Sequence, residues 1–116
     1  MAPIIDIQFA NLKMLTELNK KELLTNEDQE FVVSTIEKYR NDEAIQYIGI
    51  NILFSIDDLE FFLLTRAITV VLSLMHPEMC YDVIVIACEY INMLIQTNYN
   101  VGTRSQEMQN VLSKYQ

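Results

Sequence analysis

The chain has 116 residues, of which 51% are hydrophobic, and it contains only two glycines and two prolines. This length and composition predict one ordered domain and exclude both a disordered chain and a turn-rich β architecture. Sixteen acidic residues against eight basic ones give a formal net charge of -8, which disfavours binding to the phosphate backbone of nucleic acid.

Two helices are predicted in the first forty residues. Over residues 7–24 the apolar side chains recur at the spacing of an amphipathic helix: Phe9, Leu12, Leu15, Leu18 and Leu23. The segment TNED at 25–28 then begins a second helix, because Thr25 caps the first turn and the acids suit its positive dipole end. This helix is expected to end near Arg40.

The next two predicted helices are strongly apolar. Asn41 is expected to cap a helix that contains AIQYIGINILFSI at 44–56, in which nearly every position is apolar. Ser55 repeats the pattern of a cap followed by acids and opens a helical stretch at 57–75. This stretch is predicted to break near Arg66.

Pro77 and Thr103 mark the beginnings of the last two predicted helices. Proline fits the first turn of a helix, where its missing N–H costs nothing, so a helix is expected from Pro77 to about Gln96. It contains a second apolar stretch, VIVIACEYINMLI, at 83–95. The segment TRSQ then predicts a capping box between Thr103 and Gln106, ahead of a short helix.

The pattern as a whole predicts an all-α fold. A short apolar run such as 83–88 is also compatible with a buried strand, but the apolar stretches reach 13 to 15 residues without turn signals, which favours helices. The helices are expected to form one domain with an N-terminal helix at 7–24, two units at 25–56 and 57–97, and a C-terminal capping helix at 103–115.

The two units match each other when the chain is shifted by 38 residues. The shift aligns apolar positions with apolar positions: Val32 with Val70, Ile36 with Leu74, Ile45 with Val83, Ile48 with Ile86, and Leu53 with Ile91. It also aligns Gly49 with Ala87, which are small residues in two otherwise bulky helices. Glycine inside a helix costs about 1 kcal/mol relative to alanine, so a small residue here indicates close helix packing.

On these residues the chain resembles the armadillo and HEAT family of helical repeats, in which a long buried third helix follows two shorter ones. The resemblance implies a right-handed helical stack of about two repeats, with second helices at 32–40 and 70–75 and a short first helix at 57–64. Armadillo repeats bind extended peptides through asparagines of the third helix, which makes Asn51 and Asn92 candidate partner-binding residues. A compact helical bundle is the alternative architecture.

The residue pattern gives no catalytic constellation, and no catalytic residue is assigned. His76 is the only histidine, and beside Pro77 it is more typical of a capping or packing residue than of a general base. His76 and Cys80 have the i, i+4 spacing of metal ligands, but tetrahedral zinc requires more soft ligands than the chain supplies. We therefore expect no enzymatic activity, no metal and no cofactor.

The leading functional interpretation is a non-enzymatic protein–protein interaction module, either a small helical adaptor or a regulatory subunit. The acidic residues Asp57, Asp58 and Glu60 predict a protein partner with a basic segment, and self-association is a further expectation. The alternative is a helical bundle that resembles the Bcl-2 fold in size and in its very apolar central helix. Viral proteins of that kind sequester host apoptosis or signalling proteins.

A location in the cytoplasm or nucleus is predicted. The N-terminus lacks the basic segment of a secretory signal, and the apolar run at 61–75 is shorter than the roughly 18 residues that span a bilayer. Cys80 and Cys88 lie two turns apart on one predicted helix, too far for a disulfide. These features suit a reducing compartment without a membrane span.

Overall fold

The computed structural model describes residues 4–20, 24–56, 59–97 and 104–115, apart from the side chains of residues 5, 19 and 20. Within these ranges the chain forms six α-helices and no strand: α1 (Ile4–Lys20), α2 (Asn26–Lys38), α3 (Glu43–Phe54), α4 (Phe61–Ser73), α5 (Tyr81–Gln96) and α6 (Arg104–Ser113). The predicted all-α fold is confirmed.

Side chains cap the beginnings of three helices. At α2, the Asp28 N–H donates to Thr25 Oγ1 at 3.1 Å and the Thr25 N–H donates to Asp28 Oδ2 at 3.0 Å, which is the reciprocal capping box. Asp42 accepts a hydrogen bond from the first turn of α3 at 2.8 Å, and Glu60 accepts two from the first turn of α4. The predicted cap at Thr25 is confirmed, whereas Asp42 rather than Asn41 caps α3.

The prediction for α4 is wrong in two respects. The helix begins at Phe61, after non-helical residues 59 and 60, and residues 61–64 form its first turn rather than part of a separate first helix at 57–64. It also continues unbroken through Arg66 to Ser73. Arginine favours the helical backbone, and the guanidinium of Arg66 pairs with Glu37 of α2, so the charge is accommodated within the helix.

The prediction for the beginning of α5 is also wrong. Pro77 lies in the turn between α4 and α5, and the helix begins at Tyr81. Cys80 occupies the N-cap position but forms no side-chain capping hydrogen bond. The predicted capping box at Thr103 lies outside the described residues.

The helix α3 contacts three neighbouring helices. It packs against α1, α2 and α5, while α5 also contacts α4 and α6, and α2 also contacts α4. The core between these helices is aliphatic, with one buried tyrosine, and its fully buried side chains include Leu12, Ile36, Ile45, Leu53, Ile68, Tyr90 and Ile91. The most apolar stretch of the sequence therefore lies at the centre of the fold.

Gly49 allows α3 to approach α2 closely. A Cβ atom at this position would collide with Cγ2 of Ile36, whose side chain is itself fully buried. Because Ile36 branches at Cβ and lies within a helix, its side chain has one strongly preferred rotamer and cannot easily move away. The close packing predicted at Gly49 is confirmed.

The side chains of Gln46 and Arg104 connect neighbouring helices. Gln46 is fully buried on α3, and its Nε2 donates to the carbonyl oxygens of Ile36 at 2.9 Å and Tyr39 at 2.8 Å. These bonds satisfy acceptors at the C-terminal end of α2, which have no partner within their own helix. Arg104 of α6 donates to the Thr69 hydroxyl of α4 at 2.6 Å and so attaches the last helix to the body.

Candidate functional site

A groove of about 630 Å³ opens between α1, α3 and the beginning of α5. Three elements supply its lining: Phe9, Lys13 and Thr16 from α1; Glu43, Ala44, Tyr47, Ile48, Asn51, Ile52 and Ser55 from α3 and its C-terminal cap; and Cys80, Asp82 and Val83 from the beginning of α5. Concave sites of this size, lined by apolar side chains with a few polar groups, are typical of binding sites.

One face of α3 forms the floor of the groove. Ala44, Ile48, Asn51 and Ser55 follow one another at intervals of three or four residues, so they share one face of the helical turn. The fully buried side chains of Ile45, Ile50 and Leu53 do not line the groove. The helix is apolar on nearly all sides because one side meets the core and another meets the groove.

Two aromatic side chains give the groove its exposed apolar surface. Tyr47 is 47% exposed, and Phe9 is partly buried against the core. Tyrosine offers a large apolar ring together with a hydroxyl that can bind a polar group, and aromatic residues are enriched among the anchor residues of protein interfaces. This surface suits an apolar partner segment with some polar groups.

The charged groups lie at the edges of the groove. Glu43 is in the first turn of α3 and Asp82 is in the first turn of α5, so two carboxylates line the groove at helix beginnings. Lys13 lines the α1 side, with its Nζ 5.7 Å from the centre of the Phe9 ring. The rim therefore carries a net negative charge, in keeping with the acidity of the whole chain.

The hydroxyl groups of Thr16 and Ser55 in the groove are bound to the backbone. Thr16 Oγ1 donates to the carbonyl of Leu12 at 3.0 Å, and Ser55 Oγ donates to the carbonyl of Asn51 at 3.3 Å. Cys80 contributes a free thiol, and no histidine is among the lining residues.

The predicted site residues lie in separate places. Asn51 lines the groove, where its Nδ2 donates to the backbone carbonyl four residues earlier at 3.0 Å. Glu60 lies at the beginning of α4, and both of its carboxylate oxygens accept backbone N–H groups there, at 2.9 and 3.3 Å. Asn92 is exposed on α5. Asp57 and Asp58 lie outside the described residues, so these five residues do not form one described cluster.

Sequence reasoning missed Phe9, Tyr47 and Cys80 as groove residues. The spacing of Tyr47 relative to Asn51 is visible in the sequence and places both on one side of α3. The sequence contains no signal, however, that α1 and the beginning of α5 leave this side uncovered, because that depends on how the helices pack.

The two acidic groups with shifted pKa values, the Glu37 carboxyl and the Cys88 thiol, lie outside the groove. Hydrogen bonds from Arg66, helped by its charge, lower the pKa of the Glu37 carboxyl below 4.5, although partial burial acts in the opposite direction. The Arg66 Nε to Glu37 Oε2 distance is 3.2 Å, and Arg66 also donates to Ser34 Oγ at 3.1 Å. Burial raises the pKa of the Cys88 thiol, and the charge of Glu89 raises it further. Neither shift marks a catalytic group in the groove.

The described residues contain neither a cluster of metal ligands nor a membrane-spanning helix. Among them, no three His, Cys, Asp or Glu side chains come together as a potential metal site. Within the same ranges, none of the helices is both long enough and apolar enough to cross a bilayer. No protein-family model matches the chain, and neither a curated protein nor a solved structure matches it.

Proposed function

We propose that this protein is a non-enzymatic interaction module whose groove binds an amphipathic helix of a partner protein. The observation that carries the proposal is the apolar groove of about 630 Å³ between α1, α3 and α5, with the half-exposed Tyr47 in its lining. Helix-in-groove recognition places apolar side chains spaced i, i+3 or i+4, and i+7 into such a surface. The protein then acts as a small adaptor or regulatory subunit.

The length of the groove supports a helical ligand of about three turns. Its lining extends along α3 from Glu43 to Ser55, a separation of twelve residues that corresponds to about 18 Å of helix rise. A partner helix lying along α3 would present three or four apolar side chains over this distance. Glu43 and Asp82 favour a ligand that carries basic residues beside its apolar face.

We also propose that the fold is an armadillo- or HEAT-like stack of two repeats with flanking helices. Three observations support it: α2 packs against α4, α3 packs against α5, and α3 and α5 begin 38 residues apart, at Glu43 and Tyr81. Gly49 and Ala87, which the same shift aligns, are both buried. In this arrangement α1 and α6 cover the two ends of the stack.

One observation favours the alternative, a Bcl-2-like bundle that sequesters a host apoptosis or signalling protein. The helix α3 is the most apolar of the six and has three helices around it, as a central bundle helix does. The armadillo resemblance alone implies an extended peptide, so the helical ligand is proposed from the shape of the groove. The kind of helix that binds then distinguishes the two architectures. Tight binding of helical segments from death-promoting proteins, without binding of other amphipathic helices, would favour the bundle.

The groove can be tested by selecting peptides from a display library of amphipathic helices. We expect the selected peptides to share apolar residues at helical spacing together with lysine or arginine. Tyr47→Lys should weaken their binding at least tenfold. Phe61→Lys is the matched control, because Phe61 is 60% exposed at the beginning of α4 and does not line the groove.

Two outcomes would overturn the proposed function. One is a selection that enriches no helical peptide over several rounds. The other is a set of selected peptides that binds the Tyr47→Lys variant as tightly as it binds the Phe61→Lys variant. Backbone amide shifts in an NMR titration provide an independent readout, because a peptide in the groove should perturb α1 and α3 more than α6.

A further inference from the structure

The helix α1 carries an apolar stripe that no other described helix covers. Ile4 is 67% exposed, Ile7 48% and Met14 66%, and Asn11 between them is exposed as well. Leu18 continues the line and is partly buried. At about 100° of rotation per residue, these five side chains fall within about 80° of one another around the helix axis. We name this set the α1 stripe.

The α1 stripe is separate from the other two surfaces of the same helix. Leu12 and Leu15 are buried in the core, where α1 packs against α3. Phe9 and Lys13 line the groove, on a side that lies well over 100° around the axis from the centre of the stripe. A partner that covered the stripe would therefore leave the groove open.

The spacing of the α1 stripe is that of a two-stranded coiled coil. The intervals from Ile4 to Ile7, Asn11, Met14 and Leu18 are three, four, three and four residues, which assigns them to heptad positions a, d, a, d and a. A single asparagine at an a position, such as Asn11, is a known determinant of register and of dimer formation in parallel coiled coils. This pattern indicates that the partner is an identical helix.

The distribution of charge favours the same partner. Residues 1–24 contain three acidic and three basic residues, so this segment is neutral, whereas residues 25–116 contain thirteen acidic and five basic residues. Two copies of a chain with a net charge of -8 repel each other over most of their surfaces. The neutral α1 segment is where two copies can approach with the least repulsion.

We propose that a second copy of this chain covers the α1 stripe through a parallel pairing of the two α1 helices, with the two Asn11 side chains facing each other. The seam contains only about two heptads, so the paired surface is smaller than that of a standard stable interface. The dimer is therefore weak and depends on concentration, with a dissociation constant in the micromolar range or above. Each copy keeps its own groove accessible.

The test is sedimentation equilibrium of the full chain from micromolar to millimolar concentration. We expect the wild type to dimerise and Met14→Lys to weaken dimerisation at least tenfold, because it inserts like charges into the seam of each copy. Phe61→Lys adds the same charge at a residue of similar exposure on α4 and should leave dimerisation unchanged. Asn11→Ile should tighten self-association and yield species larger than the dimer, because the polar residue that selects one state is gone.

Orientation is tested by disulfide formation in a chain that also carries Cys80→Ser and Cys88→Ser. Ile7→Cys should form an intermolecular disulfide on mild oxidation, because parallel pairing brings the two copies of residue 7 together, whereas an antiparallel pair centred on residue 11 separates them by about 12 Å along the helix axis. A chain that stays monomeric up to millimolar concentration overturns the proposal. A dimer that Met14→Lys weakens no more than Phe61→Lys does also overturns it. The groove variant Tyr47→Lys should dimerise like the wild type. Loss of dimerisation and loss of peptide binding can therefore be told apart, and one proposal can be refuted without the other.

Discussion

Replacing Gly49 with alanine tests the close contact between α2 and α3. At an ordinary helix position this change stabilises the helix by about 1 kcal/mol, because glycine has the greater backbone freedom to lose. Here the added Cβ would collide with Cγ2 of the fully buried Ile36. Overpacking of this kind costs about 1–3 kcal/mol, so we expect a net loss of about 0–2 kcal/mol.

Urea denaturation followed by circular dichroism measures this loss. For a small domain, a decrease of about 1 kcal/mol in the free energy of unfolding lowers the urea midpoint by about 0.5–1 M. The contact with Ile36 can be isolated in a double-mutant cycle with Ile36→Leu, which moves the branch of the side chain from Cβ to Cγ and removes Cγ2. We expect Gly49→Ala to be less destabilising, or even stabilising, in the Ile36→Leu chain.

The cycle also defines the result that refutes the reasoning. If Gly49→Ala raises the midpoint of the wild-type chain by the amount expected from helix propensity, α2 and α3 are not in contact at this point. If it costs the same with isoleucine and with leucine at position 36, the strain comes from another contact. Either result would remove the physical reason for the small residue and, with it, one support for the two-repeat stack.

Three other predictions concern stability. Glu37→Gln should cost about 1 kcal/mol near neutral pH by breaking the pair with Arg66. Because the pKa of Glu37 is lowered in the folded state, the contribution of the pair to stability is present above the ordinary value of 4.5 and is lost as the pH falls through the folded pKa. The plots of unfolding free energy against pH for the mutant and the wild type should therefore converge in acid. Gln46→Leu should cost about 1–3 kcal/mol in thermal or chemical unfolding, because the carbonyl of Ile36 loses the donor of a buried hydrogen bond and the carbonyl of Tyr39 keeps only the N–H of Asp42. Thr25→Ala should cost about 1 kcal/mol by removing the capping box, with exposed Thr97→Ala as a control at a helix end without such a box.

The local signals of the sequence predict the helices well and their ends unevenly. The predicted cap at Thr25 is correct because Thr25 and the N–H that its hydroxyl accepts lie within four residues of each other. The predicted break near Arg66 is wrong because arginine is itself a good helix former, and the charge that interrupts the apolar run pairs with Glu37, 29 residues away on another helix. Pro77 is compatible both with the first turn of a helix and with the turn it occupies, and nothing in its neighbourhood distinguishes the two.

The groove could be predicted only in part. Helical spacing predicts the face of α3 that contains Ala44, Ile48 and Asn51. Asn51 is predicted as a partner-binding residue, but from the resemblance to armadillo repeats and not from this face. Whether a face is covered depends on packing between distant segments, which no local pattern encodes. Glu60 illustrates the same difficulty: its charge suggested a docking residue, but its carboxylate caps α4. A change of Glu60 to lysine would therefore alter the stability of α4 together with any binding.

The last prediction concerns α1, which forms one wall of the groove and also carries the α1 stripe. It packs against α3 through Leu12 and Leu15, so a peptide in the groove and a second copy on the stripe would both order the same helix. Whichever of the two binds second then loses less conformational entropy than the first. Thermodynamic linkage requires peptide binding and dimerisation to strengthen each other by the same factor. Sedimentation with and without a saturating groove peptide should show this factor, and Leu15→Ala, which loosens α1 from the core, should weaken both affinities. If the peptide leaves dimerisation unchanged and Leu15→Ala changes neither affinity, α1 is a rigid wall and its two surfaces act independently.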